Sequence, residues 1–223
     1  RQVRDLAHQL QGLGIERGDR VAIVLPNGIE SIVSFLAVAS VATAAPLNPA
    51  YTGDEFSFYI EDTGAKALVT SEQTGEEARR VTSESVIQIT TEMDRAGMVS
   101  LAPAAGPLRQ RAPIAPEPED VALVLHTSGT TSRPKRVPLS HGNLAVSARN
   151  IVDTYALTAQ DVALCIMPLF HVHGLVASTV STLMSAFSVT CTVSDCSDTL
   201  RKPAQSGISL LNIRARSLLT GVG

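Results

Sequence analysis

The sequence predicts an α/β fold: a mostly parallel sheet with flanking helices. Three observations carry it. Short strand-like runs at 21–25, 66–70, 121–125 and 162–167 punctuate the chain. Between them lie segments whose apolar residues recur at helical spacing. Strands that alternate with helices in this way pair in parallel, because a parallel neighbour is reached only through a crossover.

The elements follow in order. Val3, Leu6, Ala7, Leu10 and Leu13 recur three and four residues apart, so the chain opens on an amphipathic helix that Gly14 ends. Gly18 and Asp19 turn into a buried strand at 21–25, and Pro26, Asn27 and Gly28 turn the chain again. Residues 29–42 are apolar nearly all round and read as a buried helix. Prolines at 46 and 49 make 45–49 a loop. Thr52 followed by Glu55 has capping-box spacing and opens a helix through Ile60. A strand at 66–70, a helix at 76–81 and a strand at 86–89 come next. Over 98–120 Pro, Ala and Gly accumulate, which reads as an exposed connector between two lobes. A buried strand at 121–125 leads into a polar loop up to Lys135. A strand at 137–139, a helix at 143–152, a strand at 162–167, a helix at 175–184 and an alternating strand at 188–193 complete the pattern. No internal repeat stands out.

Composition bounds the function. The 223 residues allow one large domain or two small ones. With 44% hydrophobic and 17% charged residues the chain can bury a sizeable core. A net charge of -3 without a long basic run, and only 4% aromatics, leave no footprint for nucleic acid. Cys165, Cys191 and Cys196 are too few, and odd in number, for a disulfide framework and fit a reducing compartment. The longest apolar run, 32–47, is interrupted by Ser34, Ser40 and Thr43 and is too short to span a bilayer. The first residue is Arg1, so the chain is expected to begin mid-protein. Neither a signal peptide nor a C-terminal peroxisomal tripeptide is present in it.

The informative segment is Thr127-Ser128-Gly129-Thr130-Thr131-Ser132-Arg133-Pro134-Lys135, directly after a buried strand. Hydroxyls and free backbone N–H groups satisfy many phosphate oxygens at once. Gly129 lets the backbone approach an anion, and Lys135 adds a compact positive charge. Loops at the carboxyl ends of strands are where open α/β sheets bind ligands. The plain alternative is a Ser/Thr-rich surface turn that binds nothing. A P-loop NTPase is disfavoured: no second glycine stands at the required spacing, and Arg136 follows Lys135.

Residues 125–135 resemble the phosphate-binding signature of the adenylate-forming superfamily of acyl-CoA synthetases, luciferases and peptide-synthetase adenylation domains. Leu47-Asn48-Pro49-Ala50-Tyr51-Thr52 is similar to the upstream Asn-Pro-x-Tyr-Thr segment of that family, and Met167-Pro168-Leu169-Phe170-His171-Val172-His173-Gly174-Leu175 to its downstream Pro-x-Phe-His motif. Ser132 and the run Leu125-His126-Thr127 most resemble the oxalate–CoA ligase branch, also called peroxisomal-CoA-synthetase-like. The resemblance covers residues 1 to about 184.

The resemblance implies an incomplete large N-terminal domain of such an enzyme over residues 1–193, with an atypical tail at 194–223. It implies an ATP-dependent acid–CoA ligase, with ATP, Mg²⁺ and coenzyme A, acting on oxalate or another small carboxylic acid in the cytoplasm or peroxisome. Thr127, Ser128, Gly129, Thr130, Thr131 and Lys135 would hold the β- and γ-phosphates. His171, with Lys135, would be catalytic, sitting beside the substrate carboxylate. His171 could instead cap the helix that opens near His173, and a metal role for His171 and His173 lacks a third ligand. Cys165 reads as a buried inert thiol. Thr52-Gly53-Asp54 spells the family's ribose-gripping triplet but precedes the phosphate loop, so it reads as a helix start.

Departures matter as well. Arg136 replaces the family's glycine, which puts nucleotide affinity in question. After about Val193 the likeness stops, and the tail is expected to be out of frame or misspliced. The Tyr-Gly-x-Thr-Glu motif, a later Thr-Gly-Asp and the small C-terminal domain with its lysine are missing. The chain alone is therefore expected to be inactive, and a truncated nucleotide- or partner-binding module is the competing reading.

Overall fold

The computed structural model describes residues 1–95, 97–103, 115–127, 134–185, 188–192 and 210–214, the last two stretches by backbone alone. Seven strands form one sheet: β1 (Arg20–Ile23), β2 (Thr43–Pro46), β3 (Ala67–Ser71), β4 (Ile87–Met93), β5 (Val99–Pro103), β6 (Val121–Thr127) and β7 (Lys135–Ser140). Their spatial order is β5-β4-β3-β1-β2-β6-β7. The five inner strands run parallel, and β5 and β7 close the two edges antiparallel.

Helices cover both faces, so the inner strands carry apolar residues on both sides. Helices α1 (Gln2–Gly12) and α2 (Ile29–Ala39) bury Leu6, Leu10, Ile32 and Phe35 against Val21, Ile23, Ala67 and Val69. Helices α3 (Gly53–Thr63) and α4 (Glu76–Val81) bury Phe56, Ile60 and Ala78 against Ala22, Val24 and Leu68. Each fully buried Leu, Ile or Phe contributes about 1.5–3 kcal/mol of transfer free energy.

Local chemistry sets the helix ends. Gly14, at φ +86°, follows α1 in the left-handed region that a glycine enters without a Cβ clash. The predicted capping box opens α3: the Thr52 side chain accepts from the Glu55 N–H, and the Glu55 carboxylate accepts from the Thr52 N–H. Thr52-Gly53-Asp54 is thus a helix start. A second capping box, Ser140 with Asn143, opens α5 (His141–Thr154) two residues before the predicted start at 143. A three-stranded sheet follows, ordered β10-β9-β8 from β8 (Val162–Cys165), β9 (Ser188–Thr192) and β10 (Leu210–Arg214). β8 and β9 are parallel, and β9 and β10 antiparallel.

Four expectations need correction. Residues 43–46 are strand, where 45–49 was expected to be loop. Pro46 stands at the strand's last residue, paired with Ile23, where a missing N–H costs little, and the Leu47 N–H still donates to Ile23. Val99–Pro103, inside the expected connector, pairs antiparallel with β4, and β6 beyond that stretch belongs to the same sheet. The hairpin strands reach Thr127 and Lys135, so both residues are ladder rather than loop. The helix expected at 175–184 begins at His173 and is π-helical through Val180 before α6 (Ser181–Met184). There the Thr179 hydroxyl donates to the Gly174 carbonyl and the Ser181 hydroxyl to the Val176 carbonyl, both five residues back. In the tail, Leu210–Arg214 forms β10, and residues 193–209 and 215–223 lie outside the described residues.

Candidate functional site

The described parts of the three sequence motifs lie beside the carboxyl ends of the inner strands β1, β2 and β6. The chain leaves β2 through Leu47–Thr52 and leaves β6 through the Ser/Thr/Gly segment, and both exits lie at the carboxyl ends of parallel strands. Topology separates their paths. From β2 the chain crosses by α3 to β3, on one side, and from β6 it turns to β7, on the other. Neighbouring strands whose connections part in opposite directions open a crevice, the usual ligand position in open α/β sheets. The β2–β6 pairing is thin there, with Ala44 and Leu123 as its one register pair.

The third motif is tied to the same end of the sheet. The turn after β1 carries Asn27, whose side-chain carbonyl accepts from the Leu169 N–H at 2.9 Å. That bond anchors Pro168 to His171 near the carboxyl end of β1. His171 is exposed, its ring tilted against Phe170 at 4.5 Å between centroids. Its N–H donates to Pro168, and its carbonyl accepts from Leu175. The π-helix carries no side-chain cap, so the alternative capping role for the histidine finds no bond. Gly174 is required by close approach. A Cβ there would lie 2.4 Å from the Pro168 carbonyl and 2.6 Å from that of Met167. Cys165 is buried, within reach of the Met167 and Gly174 carbonyls at 3.5 Å each.

On the hairpin, Thr127 pairs with Lys135, and both side chains are exposed. The Thr127 hydroxyl lies 3.5 Å from the Lys135 carbonyl. Ser128, Gly129, Thr130 and Thr131 lie outside the described residues. A hydroxyl and an ammonium at the two ends of this segment, both open to solvent, suit a phosphate chain.

The Asn48 segment forms a compact turn: its side-chain carbonyl accepts from the Ala50 N–H, and its main-chain carbonyl from Tyr51. Tyr51 stacks on Tyr59 at 4.8 Å. Burial, and then a hydrogen bond with Tyr59, push the Tyr51 phenol above its ordinary value, so it stays neutral.

Sequence reasoning missed Asn27, Asp62 and Tyr59. Tyr59 sets its ring edge-on to His126 at 4.7 Å, and the His126 ring nitrogen lies 3.0 Å from the Asp62 carboxylate. A polar His126 closing an apolar strand was the one visible signal. Arg136, which raised the concern of crowding, points to helix α3 and donates to the Asp62 carbonyl. Among the described residues no helix is long and apolar enough to cross a membrane.

The family model for AMP-binding enzymes matches residues 1–206. The "Probable CoA ligase CCL9" of Humulus lupulus is 44% identical over 190 residues, 82% of this chain and 36% of that protein. The oxalate–CoA ligase of Arabidopsis thaliana is 44% identical over 182 residues, 79% of this chain and 35% of its own length. The chain thus spans about a third of these relatives. Among solved structures, apo MatB from Rhodopseudomonas palustris superposes with a TM-score of 0.71 at 29% identity, over 92% of this chain and 41% of that one.

Proposed function

Since this chain belongs to the AMP-binding enzyme family, we propose that it is the phosphate-gripping front part of an ATP-dependent acid–CoA ligase. In the reaction, a carboxylate oxygen attacks the α-phosphorus of ATP and pyrophosphate leaves. The acyl-adenylate then passes its acyl group to the thiol of coenzyme A, and AMP departs. The observation that carries the reading is the β6–β7 hairpin, which ends in Thr127 and Lys135 beside the topological switch point.

The chain's own groups act by position and charge. Lys135 and the hydroxyls from Thr127 to Thr131 hold the β- and γ-phosphates and spread the charge of the leaving pyrophosphate. The nucleotide arrives as its Mg²⁺ complex. His171 lies beside the substrate carboxylate and offsets its charge. Oxalate or another short acid is the substrate class, supported by the 44% identity to the Arabidopsis oxalate–CoA ligase. The compartment is cytoplasm or peroxisome.

The competing reading is a non-catalytic module. On that reading it binds nucleotide, or a partner chain, without turnover. One experiment separates the two: calorimetric titration with Mg-ATP, and oxalate-dependent pyrophosphate release from the same sample. Binding with release supports the ligase. Binding without release supports the non-catalytic module. Neither, with Lys135→Ala indistinguishable from the parent, removes the hairpin from any nucleotide role.

A further inference from the structure

Asp62 lies in the last turn of α3, where helix carbonyls have no partner within the helix. The helix ends with Gly64, at φ +61°, donating to the Glu61 carbonyl and Ala65 donating to Ile60. That pattern leaves the Asp62 carbonyl open, and the Arg136 guanidinium takes it. A cation there also meets the negative end of the helix dipole. The Asp62 carboxylate reaches the His126 ring nitrogen at 3.0 Å. His126 and Arg136 are register partners on β6 and β7, so their side chains share one face of the sheet. They stand one rung from Thr127 and Lys135. One residue of α3 therefore holds both stems of the hairpin. The His126 side chain is only 4% exposed and Tyr59 closes over it, so this contact is shielded from water on the histidine side.

We infer that Asp62 is a positioning residue for Thr127 and Lys135: its carboxylate holds the β6 stem at His126 and its main-chain carbonyl holds the β7 stem at Arg136, which fixes where the hydroxyl and the ammonium are presented. The role rests on the nucleotide-binding reading of the hairpin, although the clamp itself has a readout without nucleotide. Arg136 acquires a task in it: the bulky cation does not crowd the hairpin but ties it to a helix end.

The test is amide hydrogen exchange over residues 121–140 of the ligand-free chain, comparing the parent with Asp62→Leu, Asp62→Asn and Arg136→Gly. Asp62→Leu removes the carboxylate partner of His126 at similar volume and leaves the main-chain carbonyl that accepts from Arg136; exchange of the β6 stem rises about tenfold while β1 and β3 keep their protection. Asp62→Asn keeps an acceptor for His126 and stays within about twofold of the parent. Arg136→Gly, which leaves α3 intact, accelerates the stem about threefold. Equal exchange in Asp62→Leu and the parent overturns the clamp, as does an Asp62→Asn variant as impaired as Asp62→Leu. Should Asp62→Leu lose protection throughout, Arg136→Gly decides: unchanged stem exchange there overturns the clamp. Mg-ATP titration of the same proteins completes the test. Weaker binding in Asp62→Leu with recovery in Asp62→Asn supports positioning, whereas unchanged affinity in Asp62→Leu overturns it. A parent chain that binds no Mg-ATP removes the nucleotide reading alone, and the exchange comparison still decides the clamp.

Discussion

The β1–α2–β2–β3 layer and the α5–β8–π-helix region are built from similar residues but close differently. In the first, Val21, Ala22, Ala44, Ala45 and Leu68 have no measurable exposure, because helices lie on both faces. In the second, Val162 is 61%, Leu164 56% and Ile166 46% exposed, while Cys165 between them is buried. Alternate residues of a strand share a face. One face of β8 is therefore sealed against the π-helix and the other is open. Burial in a sheet is decided by how many layers cover it, and an apolar strand does not reveal that number.

The largest expected effect lies in the closed layer. Phe56, 1% exposed between α3 and the sheet, is among the largest fully buried side chains. Phe56→Ala should cost about 3–5 kcal/mol by urea denaturation. A cost below about 1 kcal/mol would break the comparison, since it would mean the closed layer is packed no better than the open one. Gly174→Ala probes a tightly packed point of the second region. A methyl against two backbone carbonyls should cost about 1–3 kcal/mol and loosen exchange over 165–184. A neutral result would show that the Pro168 segment gives way easily. Thr52→Ala removes an N-cap that serves the closed layer through α3, and should cost about 1 kcal/mol in thermal melts. Leu164→Ser, on the open face, should change stability by no more than about 0.5 kcal/mol. A larger loss would show that this face is covered in solution.

The smallest effect is a pH dependence at the start of α5. His141, the first residue of α5, is held below its ordinary 6.5 by burial, which outweighs a hydrogen bond with Ala39 and the attraction of Asp120. The unfolded chain therefore takes up this proton at a higher pH than the folded chain. Its contribution is fully favourable above about pH 6.5 and declines as pH falls toward the folded value. Comparing urea midpoints from pH 7.5 down to about pH 5, His141→Gln should lose part of the decline that the parent shows. Parallel curves would mean that the histidine is solvated alike in both states.

Much of this was legible in the chain. Helix ends written in local chemistry, such as the Thr52–Glu55 box, Gly14 and helix α4, appear where the pattern put them. So do four of the five inner strands, β1, β3, β4 and β6, since continuous apolar runs have few other fates in an α/β chain. The hairpin that carries Thr127 and Lys135 was visible as chemistry, a polar cluster directly after a buried strand. What the sequence could not supply was decided by partners distant along the chain. Thr43–Pro46 became strand because β1 offers it a ladder that proline at the last rung does not spoil. Asn27 became an anchor because Leu169 folds back on it across 142 positions. Asp62 became a clamp because α3 ends over the hairpin, and nothing in Glu61-Asp62-Thr63 announces that. Local free energies are set by neighbours within a few residues and can be read from a string. Layer coverage, edge pairing and cross-chain clamps depend on which surfaces meet, and only the assembled fold decides that.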